Sequence, residues 1–161
     1  MTERLDGLAT RLGERLVARG WRLATAESCT GGWIAKVATD IPGSSGWFDR
    51  GFVSYSNGAK QDMLGVRPET LEAQGAVSEA TVMEMAAGAI ARSGAQVAVA
   101  VSGIAGPAGG SPDKPVGTVC FAWALPGHPI QARRLQFAGH RDEVRHQAVR
   151  VALELLLEHL D

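Results

Sequence analysis

The spacing of apolar residues predicts an amphipathic helix at each end of the chain. Near the start, leucines recur every three or four residues between charged side chains: Leu5, Leu8, Leu12 and Leu16. Near the end, the same spacing produces a stripe of Val144, Ala148, Val151 and Leu155, with Leu156 beside it. Apolar side chains at this period share one face of a helix. Gly20 is expected to end the first helix, and both helices are expected to cover a sheet.

Runs of β-branched, aromatic and small apolar residues predict the strands of that sheet. AQVAVAVSGIAG, residues 95–106, is almost continuous Val and Ala, which is the pattern of a central strand buried on both faces. WRLATA (21–26) and FDRGFVSYS (48–56) predict two further strands. VGTVCFAWAL (116–125) and IQARRLQF (130–137), joined by PGHP, predict an antiparallel pair. The sheet is therefore expected to be mixed.

Helices are predicted in the intervals between the strands. GGWIAKVATD (31–40) follows the first strand, and NGAKQDMLG (57–65), RPET (67–70) and SEATVMEMAAGAIARSG (78–94) follow the second. In the first and last of these later helices, Asn57 and Ser78 are expected to cap the free amides of the first turn. Helices that alternate with strands in this way cover both faces of a sheet. The sequence thus predicts an α/β fold, a three-layer α/β/α sandwich with a mixed central sheet, in one domain over residues 1–161.

Composition narrows the class of protein. The 16 basic and 17 acidic residues give a formal net charge of −1, which provides no general field for holding nucleic acid or an anionic membrane. The two cysteines, Cys29 and Cys120, lie far apart in dissimilar contexts, which fits a reducing compartment. The N-terminus lacks the apolar stretch of a signal peptide, and no run approaches the roughly 18 apolar residues of a membrane span. We therefore expect a cytoplasmic protein.

The segment TAESCTGG, residues 25–32, concentrates polar groups at the junction between the first strand and the next helix. Gly31 and Gly32 allow a sharp turn, which would leave the amides of the first helical turn pointing towards Ser28. Ser28 is then placed to attack a carbonyl while amides around Thr30 to Gly32 stabilise the developing negative charge. Capping of the helix by Ser28 or Thr30 explains the same residues equally well. Cys29 is a competing nucleophile, although a buried packing role is the favoured interpretation.

A serine nucleophile requires a base, and the sequence favours a lysine. The four histidines come late and form no recognisable motif. A lysine can serve when burial or neighbouring cations lower its pKa. Lys36 lies two turns into a helix and Lys114 lies in a Pro/Gly loop, whereas Lys60 follows a strand end. Lys60 is the candidate base, with a solvated helix lysine as the alternative. Tyr55, on the same strand end, is either a hydrogen-bond donor to Ser28 or substrate, or a half-buried strand aromatic.

Two later segments offer groups that bind phosphate. SGIAGPAGGSPDKPVGT (102–118) is glycine-rich, with no established phosphate-loop spacing, so a flexible connection is the alternative interpretation. Its candidate substrate contacts are Gly103, Ala105, Gly106 and Thr118. GHRDEVRHQAVR (139–150) places Arg141 and Arg145 on one helix face, where two guanidiniums suit a phosphate, although solvation accounts for Arg145 as well. No cluster has metal-ligand spacing, so no metal is expected.

Four motifs, in order, resemble those of the CinA C-terminal-domain family: TAESCTGG, GFVSYSNGAKQDMLGV, AVSGIAGPAGGSPDKPVGTV and GHRDEVRHQAV. The resemblance spans nearly the whole chain. It implies the activity of the family's enzymes, the nicotinamide-nucleotide amidohydrolases, which hydrolyse the carboxamide of nicotinamide mononucleotide to nicotinate mononucleotide and ammonia. The domain also occurs behind a larger N-terminal domain in competence/damage-inducible proteins. This chain is thus expected to be a stand-alone member or a part excised from such a protein.

The resemblance also implies roles for particular residues. Ser28 and Lys60 stand at the positions of the family's proposed catalytic serine and lysine, with Tyr55 nearby. Arg145 fits a substrate-contacting position. Glu27 is expected either to orient the loop or to serve as a surface or capping residue.

Two residues depart from the family pattern. Gly58 stands where Glu is frequent, and His140 stands where an acidic residue often precedes the arginine. Gly58 is expected to loosen the helix that carries Lys60 by roughly 1 kcal/mol. His140 is expected to alter the local charge, and neither change removes a proposed catalytic group.

These observations lead to one expected activity and one rival. The expected activity is that of an amidase without metal or organic cofactor, in which Ser28, activated by Lys60, attacks the nicotinamide carbonyl or orients water towards it. The rival is a non-catalytic nucleotide-binding or interaction module of a competence-type protein. The resemblance favours a homodimer, and nucleic acid and membranes are not expected partners. Aromatic residues around a Gly/Ser loop would form the subunit contact unless they are buried in the monomer: Trp33, Trp47 and Phe48.

Overall fold

A computed structural model describes residues 3–161 as helices and strands in alternation. The helices are α1 Leu5–Arg19, α2 Trp33–Thr39, α3 Asn57–Leu64, α4 Pro68–Gln74, α5 Glu79–Ala91 and α6 Arg141–Leu160. The strands are β1 Leu23–Glu27, β2 Phe48–Val53, β3 Val97–Gly103, β4 Thr118–Ala124 and β5 Gln131–Gln136. Within these described residues, no helix is long and apolar enough to cross a membrane.

The strands form a mixed sheet in the order β2-β1-β3-β4-β5. β1 pairs in parallel with β2 and with β3, whereas β3–β4 and β4–β5 pair antiparallel. The predicted central strand and the predicted antiparallel pair are both confirmed. Because β1, β2 and β3 are parallel, their carboxyl ends lie at the same edge of the sheet.

Side chains along β3 point alternately to the two faces of the sheet, and each face is covered by a layer of helices. Val97, Val99 and Val101 pack on one face, in the core that includes α1, α2 and α6. Ala98 and Ala100 pack on the other face, in the core that includes α3, α4 and α5. Successive side chains of a strand point to opposite faces, so a run without polar residues is buried on both. The predicted three-layer α/β/α sandwich is confirmed.

Two helix ends follow the sequence signals, whereas α4 extends beyond the predicted range to Gln74 and α5 ends at Ala91. Gly20 ends α1 in a left-handed conformation at φ 67°, and Ser78 caps α5 by accepting a hydrogen bond from the Thr81 amide at 3.1 Å. The cap of α3, however, is Ser56 and not Asn57. Ser56 has extended backbone angles, and its Oγ accepts from the Ala59 amide at 3.0 Å. On α6, Val151 of the predicted stripe is half-buried and packs against the core, and the other members of the stripe are buried.

α3 rests directly on the backbone of α5. A Cβ built on Gly88 would lie 1.9 Å from the carbonyl oxygen of Leu64, the last residue of α3. No side chain fits in that space, so glycine allows the two helices to approach closely. Leu64 lies one turn beyond Lys60, and the contact therefore helps to set the position of Lys60.

We expect Gly88→Ala to lower the free energy of unfolding by about 1–3 kcal/mol, the usual effect of overpacking a close contact. The matched control is Gly58→Ala on α3, where the nearest atom to an added Cβ is Ser56 Oγ at 3.9 Å. That change should raise stability by roughly 0.5–1 kcal/mol, because alanine restricts the unfolded chain. Urea titration of both variants measures the two effects, and equal stability for Gly88→Ala and the unsubstituted chain would contradict the packing interpretation.

Candidate active site

The carboxyl ends of β1, β2 and β3 bring three segments together. Glu27, the last residue of β1, pairs with Val53 of β2 and Val101 of β3. The next amide, that of Ser28, donates to the Val101 carbonyl at 3.0 Å, and the amide of Ser54 donates to the Glu27 carbonyl at 2.8 Å. These bonds continue the ladders past the ends of the strands. They place the serine turn beside the segment that leads into α3.

Lys60 of α3 has its amine enclosed beside Ser28. Only 1% of the residue is exposed. Nζ lies 3.0 Å from Ser28 Oγ, 3.0 Å from the Ser54 carbonyl oxygen and 3.3 Å from the Tyr55 carbonyl oxygen. All three neighbours are uncharged, and among the described residues no carboxylate pairs with this amine. The approach of Lys60 to Ser28 that the sequence predicts is therefore present.

The two carbonyl oxygens determine which part of the Lys60 amine faces the Ser28 hydroxyl. A carbonyl oxygen only accepts, so Nζ donates a proton to each of them. A neutral amine has two N–H groups and one lone pair, which leaves the lone pair facing the Ser28 hydroxyl. In the ammonium form the third proton faces Ser28 Oγ instead. The amine can therefore receive a proton from Ser28 and return one without moving.

Burial lowers the pKa of Lys60 below its ordinary value of 10.5, because the ammonium form loses hydration in the enclosed site. A negative charge on Cys29 would act in the opposite direction but is the smaller influence. The Cys29 thiol is itself buried, which raises its pKa to about 12. Cys29 thus stays protonated at neutral pH and is a poor nucleophile. The predicted packing role of Cys29 is confirmed.

Glu27 satisfies the helix amides that were expected to face Ser28. Its buried carboxylate accepts from the Ile34 amide at 2.9 Å, from the Ala35 amide at 2.9 Å and from the Thr30 hydroxyl at 2.6 Å. The amide of Gly31 donates to the Ser28 carbonyl at 3.0 Å. The expectation that first-turn amides and Gly31 are free to bind an oxyanion is therefore wrong. Glu27 thus caps the first-turn amides of α2 and also holds the serine turn through Thr30, so both of these roles left open for it are present.

The two glycines make this turn sterically possible. Gly31 and Gly32 have φ angles of 60° and 99°, in the left-handed region that side chains disfavour. Neither they nor Thr30 line the cavity beside Ser28. Their contribution is the shape of the turn, and a direct substrate contact is not supported by their placement.

Ser28 opens onto a small cavity of about 180 Å³. Its walls include the predicted residues Tyr55, Lys60, Gly103, Ala105 and Arg141. They also include four residues that sequence reasoning missed: Asn57, Ala76, Val77 and Ser102. Ser102 carried the one available signal, since it is the only polar residue of β3 and comes near the carboxyl end.

Tyr55 and Arg141 meet at the mouth of this cavity. Tyr55 is 61% exposed, so it is neither buried nor part of β2. Arg141 Nη2 donates to the Tyr55 hydroxyl at 3.2 Å, and Nη1 donates to the Gly106 carbonyl at 2.9 Å. Arg141 therefore links the strand end to the glycine-rich loop.

A second cavity of about 620 Å³ adjoins the first. The two cavities share Ala105 and Arg141 in their walls, and Arg145 lines only the second. Thr118 lines neither cavity. Its buried hydroxyl is within hydrogen-bond distance of the Pro115 carbonyl oxygen, at 2.6 Å, and of Gln136 Oε1, at 2.8 Å. A direct substrate contact by Thr118 is not supported by this placement.

Fold and site together define an α/β protein with a buried serine–lysine pair at the carboxyl edge of its sheet. Residues 5–160 match the CinA C-terminal domain family, and the chain belongs to that family. It is 58% identical over 149 residues to nicotinamide-nucleotide amidohydrolase PncC of Escherichia coli K12, covering 92% of this chain and 90% of that protein. The family resemblance of the sequence motifs is thus confirmed.

Two further relatives show the range of the family. The chain is 53% identical to a putative competence-damage inducible protein of Symbiobacterium thermophilum, covering 96% of this chain but 38% of that protein. The crystal structure of the competence/damage inducible protein CihA from Agrobacterium tumefaciens superposes with a TM-score of 0.94 at 47% identity, covering 98% of this chain and 96% of the other. The domain therefore occurs both in chains of this length and within longer ones.

The lowered pKa of Lys60 can be measured directly, because the chain has only three lysines, Lys36, Lys60 and Lys114. In ¹³Cε-lysine NMR, the signal that disappears in Lys60→Met should titrate below pH 10.5. The unfolded chain keeps this proton up to the ordinary pKa, so the free energy of unfolding should rise with pH between the two values. Lys36→Met is the control that removes a different signal, and a Lys60 signal titrating at or above 10.5 contradicts the assignment.

Proposed function

We propose that this chain hydrolyses the carboxamide of nicotinamide mononucleotide to nicotinate mononucleotide and ammonia. The observation that carries the proposal is the buried contact of 3.0 Å between Lys60 Nζ and Ser28 Oγ, with no carboxylate of residues 3–161 paired with the amine. The relatives named nicotinamide-nucleotide amidohydrolase, 55–58% identical over most of the chain, support the choice of substrate. A single amidohydrolase domain over residues 1–161 and a cytoplasmic location belong to the same proposal.

In the proposed reaction, neutral Lys60 takes the proton from Ser28 as Oγ attacks the carboxamide carbon. The resulting lysine ammonium then protonates the amide nitrogen, the C–N bond breaks and ammonia leaves. Water next attacks the acyl carbon and gives a proton to Lys60, and the bond to Oγ breaks as that proton returns to Ser28. Every proton passes through one amine, and the chemistry requires no metal or organic cofactor.

The negative charge that develops on the carboxamide oxygen needs a donor, and Gly103 is the proposed one. The Ile104 amide donates to the Thr118 carbonyl at 2.9 Å, so residue 104 faces β4. Alternate residues of an antiparallel strand face opposite neighbours, which turns the Gly103 amide towards the end of β1. Val101 confirms this alternation, because its carbonyl accepts from Ser28. Gly103 lines the cavity beside Ser28, where its N–H can stabilise an oxyanion.

The two adjoining cavities fit the two ends of a mononucleotide. The cavity of about 180 Å³ beside Ser28 has room for the carboxamide end of the pyridine ring. The adjoining cavity of about 620 Å³ is then available for the ribose phosphate. Its walls include Arg141 and Arg145, together with Asp142 at the start of the 20-residue helix α6, where the positive end of the helix dipole favours an anion. Ala105 lines both cavities, and the Gly106 carbonyl accepts from Arg141, which also lines both.

A homodimer is also part of the proposal, with Trp33 and Phe48 as half-buried candidates for the contact. Trp47 is 3% exposed and packs in the core, so it is not available to a second subunit. Nucleic acid and membranes are not proposed as partners.

Ser28→Ala should abolish ammonia release from nicotinamide mononucleotide while leaving the unfolding curve intact, because it removes only the attacking oxygen. The matched control is Cys29→Ala, which changes the neighbouring buried thiol and should retain most of the activity. A coupled ammonia assay on purified protein measures both. Unchanged turnover in Ser28→Ala, or loss confined to Cys29→Ala, refutes the assignment of the nucleophile.

The rival function is a non-catalytic nucleotide-binding module, which the match to a longer competence-damage inducible relative favours. Isothermal titration calorimetry with nicotinamide mononucleotide distinguishes the two. Binding heat without ammonia release would support the module, whereas ammonia release that depends on Ser28 supports the amidase.

A further inference from the structure

Arg145 of α6 donates hydrogen bonds to the turn that carries Ser28. Its Nε donates to the Cys29 carbonyl at 3.0 Å, and Nη2 donates to the Thr30 carbonyl at 3.4 Å. The guanidinium carbon lies 5.6 Å from the centre of the Trp33 ring, in a cation–π contact. One side chain therefore contacts three of the five residues that follow Ser28.

This turn needs support from outside because its own backbone is permissive. Gly31 and Gly32 both adopt left-handed angles, and glycine moves easily between conformations. Glu27 holds the turn through the Thr30 hydroxyl and the amides of α2. Arg145 binds the carbonyls of Cys29 and Thr30 in the same turn. The turn that carries Ser28 is thus clamped between a carboxylate and a guanidinium.

We propose that Arg145 is a positioning residue, which keeps Ser28 Oγ within reach of Lys60 Nζ by holding the carbonyls of Cys29 and Thr30. The inference rests on the proposed function, because it assigns Arg145 a part in the attack by Ser28. It goes beyond a role in substrate binding, since both hydrogen-bond partners of Arg145 are carbonyls of this chain. Removal of the clamp therefore affects the chemical step, whatever it does to affinity.

The geometry requires arginine specifically. The planar guanidinium presents Nε and Nη2 side by side to two adjacent carbonyls while its face lies against Trp33. Lysine keeps the positive charge but offers a single ammonium that cannot reproduce this fork. A phosphate, by contrast, is attracted by either cation. Arg145→Lys therefore separates positioning of the turn from attraction of an anion.

The kinetic test compares Arg145→Lys and Arg145→Ala with the unsubstituted chain, using ammonia release from nicotinamide mononucleotide. We expect kcat to fall about 100-fold in both variants, the loss that follows a misplacement of roughly 1 Å at a reacting group. Arg150→Ala, on the same helix and outside both cavities, is the matched control and should keep its kcat. A raised KM with unchanged kcat, or full kcat in Arg145→Lys, would overturn the proposal.

Hydrogen–deuterium exchange provides a readout that does not depend on the amidase activity. Peptides that cover residues 28–33 should exchange faster in Arg145→Ala than in Arg150→Ala, with the rest of the chain unchanged. If the unsubstituted chain releases no ammonia, the proposed function fails, and the exchange result alone decides whether Arg145 clamps the turn. Equal exchange in the two variants overturns the clamp.

Discussion

The site depends on the enclosure of the Lys60 amine, with which no carboxylate in the described part of the chain pairs. An opposite charge beside Lys60 would hold the proton on the amine, whereas three uncharged oxygens satisfy its hydrogen bonds and leave burial free to lower the pKa. Two of those oxygens are main-chain carbonyls of Ser54 and Tyr55, so the backbone after β2 fixes the amine. Enclosing a charge is unfavourable, and the two packed layers around the sheet offset that effect.

Two charged side chains near the site, Glu27 and Arg145, bind the serine turn and do not contact the Lys60 amine. The Glu27 carboxylate accepts hydrogen bonds from the helix amides and the Thr30 hydroxyl, and Arg145 donates two hydrogen bonds to carbonyls of the same turn. Each therefore shapes the serine turn without pairing with Lys60. The result is an amine whose hydrogen-bonding neighbours are all uncharged, which suits a reaction that moves one proton between an alcohol and an amine.

The spacing of apolar residues predicted most of the fold, because the repeat that marks a strand or a helix lies within that one element. It also predicted that Ser28 and Lys60 meet, since both follow strand ends and carry the family motif. It failed where a contact is formed by distant residues. The acceptors of Thr118 and the burial of Trp47 depend on tertiary packing that no local spacing records. The apolar run of β3 likewise concealed Ser102 as a cavity residue.

The absence of a side chain at Gly88 ties a backbone contact on one face of the sheet to the chemistry at its edge. The carbonyl of Leu64 fills that space, which fixes the distance between α3 and α5. That distance in turn helps to set the position of the Lys60 amine, one turn before Leu64. Any descendant of this chain that acquires a larger residue at position 88 must shift α3 and still keep Lys60 within reach of Ser28. The glycine and the lysine are thus expected to be inherited as a unit, although no atom of the glycine reaches the reaction.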